Sequence, residues 1–284
     1  MPYDEIDPRI CFDVINESFD KAYRQNLENS KKVTLYHQHN PSFFERVNFN
    51  FFYPNNKTIC IVRNPIQMLE SWILHDLTKL KQISTNTVSF FDTDSFCKVL
   101  YTTKNILSTL EHLINPMNSF KNVRGVKLED IKKNPKQILP KLAEWIGIKE
   151  DKSLYESSFL GKKFSRSSIN MTNIEGFDTQ AIDAPIGRVF HSRDIQILET
   201  LFWPFMDEYG YTTMSKKQFI ANLKKIRPWL DEPFKFEIDI HKKLPLDTPG
   251  IEDISELNKF RKKIIIFWEV LNSDKAYRHI FKPL

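Results

Sequence analysis

The sequence predicts an α/β protein with a three-layer, mostly parallel sheet flanked by helices and a helical C-terminal extension. A continuous apolar run of strand length, residues 58–62, leads directly into a helical pattern, and strand-length and helix-length segments alternate further along the chain. Strands that alternate with helices of about 10 to 20 residues favour a parallel sheet covered on both faces. The length of 284 residues and the 41% hydrophobic content suffice for a substantial core.

The first part of the chain is predicted to contain two helices and two buried parallel strands. Apolar residues recur at helical spacing over residues 7–29, and residues 33–36 are β-prone. The apolar run 58–62 follows a Pro-Asn-Asn turn signal at 54–56 and predicts the second strand. A second helix is expected from Pro65. Proline is tolerated in the first turn of a helix, where the N–H that it lacks would have no partner inside the helix.

The middle of the chain continues the alternation of helices and strands. The predicted elements are a helix over residues 95–115, a strand over 123–128 and helices over 136–146 and 192–209. Gly147 is expected to end the helix 136–146, and Ser192 is expected to cap the helix 192–209.

The composition changes after Tyr211, and an appended region is predicted there. Two helical patterns, residues 215–230 and 254–271, flank a proline-bearing linker at 231–250. The predicted organisation is an α/β domain over residues 1–213 and a helical extension over residues 214–284.

Charge and composition exclude several classes of protein. The formal net charge is only +5 and no basic and aromatic stripe is present, which argues against nucleic acid as a partner. Three cysteines at irregular spacing form neither a disulfide framework nor a metal-ligand pattern, so neither a metal nor an oxidising compartment is expected. No apolar run reaches the length of a membrane span, and the acidic first residues do not resemble a signal peptide. The expected location is the cytoplasm.

The most informative segment surrounds the end of the predicted strand 58–62. Arg63 stands at the carboxyl end of that strand, where open α/β sheets bind their ligands, and Ser71 lies two turns into the next helix. A guanidinium beside a hydroxyl suits a phosphate monoester. The alternative is an ordinary surface arginine and a tolerated helical serine.

Four stretches in the same order and spacing resemble the sulfotransferases that use 3′-phosphoadenosine 5′-phosphosulfate (PAPS). Arg-Asn-Pro with a serine eight residues after the arginine resembles the family's 3′-phosphate-binding signature. The other three are VTLYHQHNPSFF at 33–44, LEDIKKNPKQILPKLAEWIGI at 128–148 and IGRVFHSRDIQILETLFWPFMDEYGY at 186–211. The resemblance covers roughly residues 30–211.

The resemblance implies transfer of a sulfuryl group from PAPS to an acceptor hydroxyl, with no metal. His39 is expected to act as general base, and His37 is the rival because the two share a face of the predicted strand. Arg63 and Ser71 are expected to bind the 3′-phosphate. Arg188 and Arg166 fall where the family often places a loop over that phosphate. The acceptor is expected to be a small molecule or a glycan, and oligomeric state is not readable from the sequence.

One feature departs from the family pattern. The family carries a glycine-containing phosphosulfate loop upstream of the histidine, whereas the first glycine here is Gly125. We therefore expect an incomplete chain that begins after the loop, or a degenerate member. The alternatives are a non-catalytic nucleotide-binding or interaction protein of the same fold and a P-loop kinase-like phosphotransferase, although the Walker loop that a kinase needs is missing.

Overall fold

The structure, a computed structural model, describes the larger part of the chain. The described residues are 10, 14, 35, 43–85, 106–111, 122–156, 158–159, 162–163, 176–177, 179, 182–242, 255–273 and 280–284. The chain divides into two compact units, Met1–Asn56 and Lys57–Leu284.

The first unit contains helix α1, Phe43–Phe52. Ile10 and Val14 are helical, as predicted for residues 7–29, and both are exposed. Leu35 lies in no regular element and is 77% exposed. The predicted buried strand over 33–36 is therefore wrong at Leu35, because a β-prone run is buried only where neighbouring elements cover it.

The second unit contains a parallel pair of strands, both of which the sequence predicted. Strand β1, Thr58–Val62, pairs with β2, Val123–Lys127. The C-terminal segment lies along the other edge of β2: Gly125 N donates to Lys282 O at 2.9 Å, and Leu284 N donates to Gly125 O at 3.0 Å. Strand β2 thus has bonded neighbours on both sides.

A tyrosine fixes this C-terminal segment against the sheet. Tyr209 is buried, and its hydroxyl donates to Phe281 O at 2.8 Å. The ring lies so close to Gly125 that a Cβ at that position would overlap the tyrosine hydroxyl. Gly125 is therefore required by close packing and not by an unusual backbone angle.

Strand β1 is covered on one face by described residues. Val62 is 3% exposed, whereas its neighbour Ile61 is 56% exposed. Successive side chains of a strand point to opposite faces, so the prediction of burial on both faces is wrong at Ile61.

Helix α2, Pro65–Thr85, follows β1 as predicted. Its buried face includes Ile66, Leu69 and Ile73. Residues 106–111 are helical, inside the predicted range 95–115, and Ile106 and Leu110 are buried there.

Two helices follow β2. Leu128 was predicted to end the strand, but it begins helix α3, Leu128–Lys133. Helix α4, Pro135–Ile146, confirms the predicted helix, and Gly147 ends it with a left-handed φ of 90°. A 3₁₀ turn at Lys152–Tyr155 and the short antiparallel strands β3, Ser158–Phe159, and β4, Lys162–Lys163, come next.

The predicted helix over 192–209 is broken in two. Helix α5, Ser192–Leu201, and helix α6, Trp203–Glu208, are separated at Phe202, because Pro204 has no N–H for a continuous helix. The N-cap is His191 and not the predicted Ser192. His191 has an extended backbone, and its N–H donates to Asp194 Oδ2 at 3.3 Å.

The C-terminal part is helical and includes one helix that the sequence did not predict. Helices α7, Lys216–Ile226, and α9, Ser255–Leu271, fall within the two predicted patterns. A 3₁₀ turn at Arg227–Asp231 and helix α8, Lys235–His241, lie between them, where a linker was expected. Glu237 starts α8 by accepting the Phe234 N–H at 2.8 Å.

A single hydrophobic cluster joins helices from before and after residue 213. Its buried members include Leu69 of α2, Leu198 of α5, Phe219 of α7 and Phe267 of α9. The domain boundary at 213/214 stays a prediction. No helix in the described part of the chain combines the length and apolar character needed to cross a membrane.

Candidate functional site

The Arg-Asn-Pro motif forms the junction between β1 and α2. Asn64 is buried, and its Oδ1 accepts the N–H groups of Ile66 at 3.0 Å and Gln67 at 3.3 Å. Asn64 is therefore the N-cap of the helix, and Pro65 takes the first helical position, where its missing N–H is harmless. This local structure keeps Arg63 at the carboxyl end of the strand.

Ser71 is partly buried on one flank of α2. It lies six residues after Pro65, or about 9 Å along the helix axis at 1.5 Å per residue. Residues four apart on a helix are surface neighbours, so Ser71 stands next to Gln67. It also directly follows Glu70 in the sequence.

Both of these neighbours bind the loop of residues 184–190. Gln67 Nε2 donates to Ala184 O at 2.6 Å. The Oε1 atom of Glu70 accepts three backbone N–H groups, from Gly187 at 3.0 Å, Val189 at 3.0 Å and Phe190 at 3.1 Å. The loop is thus fastened to the part of α2 that carries Ser71.

Arg188 lies in the middle of this loop. Its Nε donates to Pro185 O at 3.0 Å and lies 3.7 Å from Glu70 Oε2. The arginine side chain is 30% exposed, whereas that of Glu70 is fully buried. The structure therefore holds the Arg188 loop against Gln67 and Glu70 of α2, which stand four residues and one residue before Ser71.

His37, His39 and Arg166 lie outside the described residues. Arg63 and Ser71 occupy the elements predicted for them, a strand end and the second turn of the next helix. Their joint binding of one anion stays a prediction.

Glu70 is the contributor that reasoning from the sequence missed. It follows Ile66 by four residues and precedes Ile73 by three, so it falls on the buried face of α2. Acidic residues are almost never fully buried unless they have partners. An acid in the apolar stripe of this helix was therefore the signal that could have revealed it.

A second polar group lies at the carboxyl end of β2. Tyr211 donates its hydroxyl to Glu129 Oε2 at 2.7 Å, and Lys127 Nζ lies 5.1 Å from the centre of the Tyr211 ring. Burial, together with the bond to the Glu129 carboxylate, raises the pKa of Tyr211 above its ordinary value. These contacts join the Leu-Glu-Asp stretch to the Gly-Tyr stretch and hold Tyr211 as a neutral hydrogen-bond donor.

A comparison with protein families identifies the chain. The family model described as the sulfotransferase domain matches residues 11–181, more than half of the chain. The chain therefore belongs to the sulfotransferase domain family, which confirms the resemblance and supports sulfuryl transfer as the general reaction. The match includes Arg63 and Ser71 and ends before Arg188. Neither the comparison with curated proteins nor that with solved structures found a match.

Proposed function

We propose that this protein transfers a sulfuryl group from PAPS to an acceptor hydroxyl. Family membership supports the reaction class. The observation that carries the choice of donor is the attachment of the Arg188 loop to Gln67 and Glu70, the helical neighbours of Ser71, within two helix turns of the strand end that holds Arg63. Two guanidiniums and a hydroxyl around one position form a donor set suited to a dianionic phosphate, which here would be the 3′-phosphate of the cofactor.

Within this proposal each residue has a distinct role toward the 3′-phosphate. Arg63 and Arg188 supply charge and paired N–H donors, and Ser71 supplies one short directional hydrogen bond. Arg166 is proposed as a further cation. PAPS itself supplies the activated sulfuryl group, and the residues that hold its 3′-phosphate fix the position of that group relative to the acceptor.

His39 is proposed as the general base, with His37 as its rival. The acceptor hydroxyl must lose a proton during transfer, and an imidazole has a pKa near neutral pH. This assignment rests on the motif at residues 33–44, because both histidines lie outside the described residues.

One observation favours a second candidate, a nucleotide-binding protein of the same fold that does not turn over. The first glycine of the 284 residues is Gly125, so none of residues 1–38, which come before the proposed base, is a glycine. Glycine-containing loops supply the backbone N–H donors that stabilise charge on a leaving phosphate. Each absent donor typically lowers a rate by about 10²–10³.

The layering of the fold, the domain organisation, the cellular location and the class of acceptor are proposed as well. We propose a three-layer arrangement around a mostly parallel sheet, an α/β domain over residues 1–213 whose core is completed by a helical extension over 214–284, a cytoplasmic location and a small-molecule or glycan acceptor. The alternation of β1, α2, β2 and α4 supports the layered arrangement.

The test separates binding from turnover. Calorimetric titration of the 284-residue chain with 3′-phosphoadenosine 5′-phosphate (PAP) and with adenosine 5′-monophosphate compares ligands that differ only in the 3′-phosphate. We expect clear preference for PAP. Sulfation of a panel of hydroxyl acceptors with radiolabelled PAPS then distinguishes the enzyme from the non-catalytic binder. Equal affinity for the two nucleotides would contradict the proposed site.

A further inference from the structure

We propose that Glu70 is a positioning residue that holds the loop 184–190 so that Arg188 presents its terminal nitrogens to the 3′-phosphate beside Ser71. The inference rests on the proposed function. It adds a residue that never touches the ligand and acts through Arg188.

The first argument is the burial of a charge in an apolar stripe. Glu70 is 0% exposed and stands between Ile66 and Ile73 on the buried face of α2. A buried carboxylate is costly unless it is paired and hydrogen-bonded, and a leucine of similar size would need no partner. Glu70 Oε1 accepts three hydrogen bonds, whereas Oε2 accepts none from the described residues and faces Arg188 Nε at 3.7 Å. The hydrogen-bond and ion-pair partners of Glu70 in the described part of the chain all lie in the loop 184–190, so a leucine at position 70 would lose these contacts with the loop.

The second argument is the pattern of the three backbone bonds. The donors to Oε1 are the N–H groups of residues 187, 189 and 190, so the bonds bracket Arg188 on both sides. Gly187 has a φ of 94°, a left-handed conformation that favours glycine and turns the chain at this point. Glu70 therefore fixes the backbone around Arg188 and leaves its side chain to point outward.

The third argument is the orientation of the guanidinium. Arg188 Nε is occupied by Pro185 O at 3.0 Å and faces Glu70 Oε2 at 3.7 Å. Its two terminal nitrogens make no hydrogen bond or ion pair with any residue that the structure describes. A guanidinium anchored at Nε keeps its terminal N–H groups for paired contact with phosphate oxygens, at a reduced entropic cost of ordering the side chain.

The experiment compares Glu70→Gln with a matched control, Glu237→Gln. Glu237 is also a buried carboxylate that accepts a backbone N–H, from Phe234, and pairs with an arginine, Arg261, at 3.4 Å. Phe234 and Arg261 both lie outside the loop 184–190. Both variants are expected to lose stability, so a purely structural effect would appear in both.

The decisive readout is the ratio of the Kd for adenosine 5′-monophosphate to the Kd for PAP, measured by calorimetry on the full chain. Glu70→Gln is expected to lower this ratio by roughly ten-fold, the loss of about one charge-assisted contact, while the Kd for the monophosphate stays within about two-fold. Glu237→Gln should leave the ratio unchanged. Hydrogen exchange at the amides of residues 187, 189 and 190 should accelerate in Glu70→Gln and not in the control.

A double-mutant cycle with Arg188→Ala completes the test, and the Arg188→Ala single variant does not depend on the stability of the Glu70 variant. Arg188→Ala, a change of a partly exposed side chain, should by itself lower the ratio, and adding Glu70→Gln should lower it little further. If the ratio of the two Kd values is unchanged in either single variant, the positioning role of Glu70 is overturned while the proposed function stands. Wild-type protein without preference for PAP overturns both, and the exchange data then report separately whether Glu70 holds the loop.

Discussion

Arg63 and the two histidines at 37 and 39 would act on opposite ends of the same reaction, one on the cofactor and the others on the acceptor. Arg63 is placed by its neighbours, since the Asn64 side chain caps α2 and leaves the arginine at the strand end. The histidines belong to a different stretch of the chain. Substitution of Arg63 should therefore change the affinity for the cofactor, whereas substitution of the catalytic histidine should change kcat.

The first prediction is this contrast in phenotype. Arg63→Ala should raise the Kd for PAP by about 10- to 100-fold through loss of a charge-assisted bond. In an active form of the protein, His39→Ala should lower kcat by about 10²–10⁴ and leave PAP affinity nearly unchanged. Titration and steady-state kinetics on both variants measure the two effects.

The control for this contrast is Arg227→Ala, which removes a partly exposed arginine that pairs with Asp231 four residues later. It should alter neither quantity, since exposed ion pairs contribute little. If His37→Ala lowers kcat and His39→Ala does not, the general base is His37. If neither variant lowers kcat, the general base is a different residue.

The second prediction concerns Tyr211 and alkaline pH. Because burial raises its pKa in the folded state, the phenol favours folding while it stays protonated. This contribution is complete below the unfolded pKa of about 10 and is lost as the pH rises above it, since the unfolded chain then releases the proton more readily. Tyr211→Phe should therefore show a smaller fall in Tm between about pH 9 and 11 than wild type.

At pH 8 Tyr211→Phe should lower the free energy of unfolding by about 1 kcal/mol, because it removes the hydrogen bond to Glu129. Thermal unfolding followed by circular dichroism at a series of pH values measures both effects. Tm curves of equal slope for the two proteins would show that Tyr211 does not contribute to alkaline unfolding.

Among the elements, α5 and α8 share one carboxylate at their N-termini. Asp194 is fully buried, and it accepts the N–H groups of Lys235 at 2.8 Å and Phe236 at 3.0 Å in addition to that of His191. A negative charge at two helix N-termini satisfies donors that have no partner inside their own helices.

The third prediction follows from this shared cap. Asp194→Ala should lower the free energy of unfolding by about 3 kcal/mol, because one buried and two partly buried N–H donors lose their acceptor. Asp194→Asn should have a smaller effect, since an amide oxygen remains. Urea denaturation measures both variants. The exposed Asp207 in α6 provides the control, and its replacement by alanine should change stability by less than about 0.5 kcal/mol.

Elements with strong local signals could be predicted, and those determined by tertiary contacts could not. Strand β1 and helix α2 were readable because an apolar run and a 3.6-residue period meet at Asn-Pro. Helix α8 was missed because Phe234, Phe236 and Ile240 alternate within a proline-bearing stretch, and its cap comes from Asp194, 41 residues before Lys235. The role of Glu70 was missed for the same reason, since its partners lie more than 100 residues away.

For the molecule as a whole, the helices after residue 213 contribute to the same core as those before it. Phe219, Leu223, Ile226 and Leu271 are each at most 1% exposed and belong to the cluster that contains Leu198. Full burial of each such side chain contributes roughly 1.5–3 kcal/mol. Four of them together are comparable to the whole stability of a typical domain.

The fourth prediction is that a chain truncated after Thr213 does not fold. We expect loss of near-ultraviolet circular dichroism and of a cooperative unfolding transition, because the apolar faces of α5 and α6 lose their cover. Expression of residues 1–213 beside the full chain, with both measured under the same conditions, tests this. A cooperative, monomeric fragment would instead show that residues 214–284 are an independent appendage.

The close packing of Gly125 against Tyr209 also constrains how this protein can change in evolution. No side chain can be gained at position 125 while the tyrosine ring keeps its place, because even a methyl group would occupy the site of the hydroxyl. Loss of the ring would in turn remove the bond that holds Phe281. We therefore expect orthologues to keep both residues or to replace both, and a lineage that substitutes the glycine first should pass through a poorly folded intermediate.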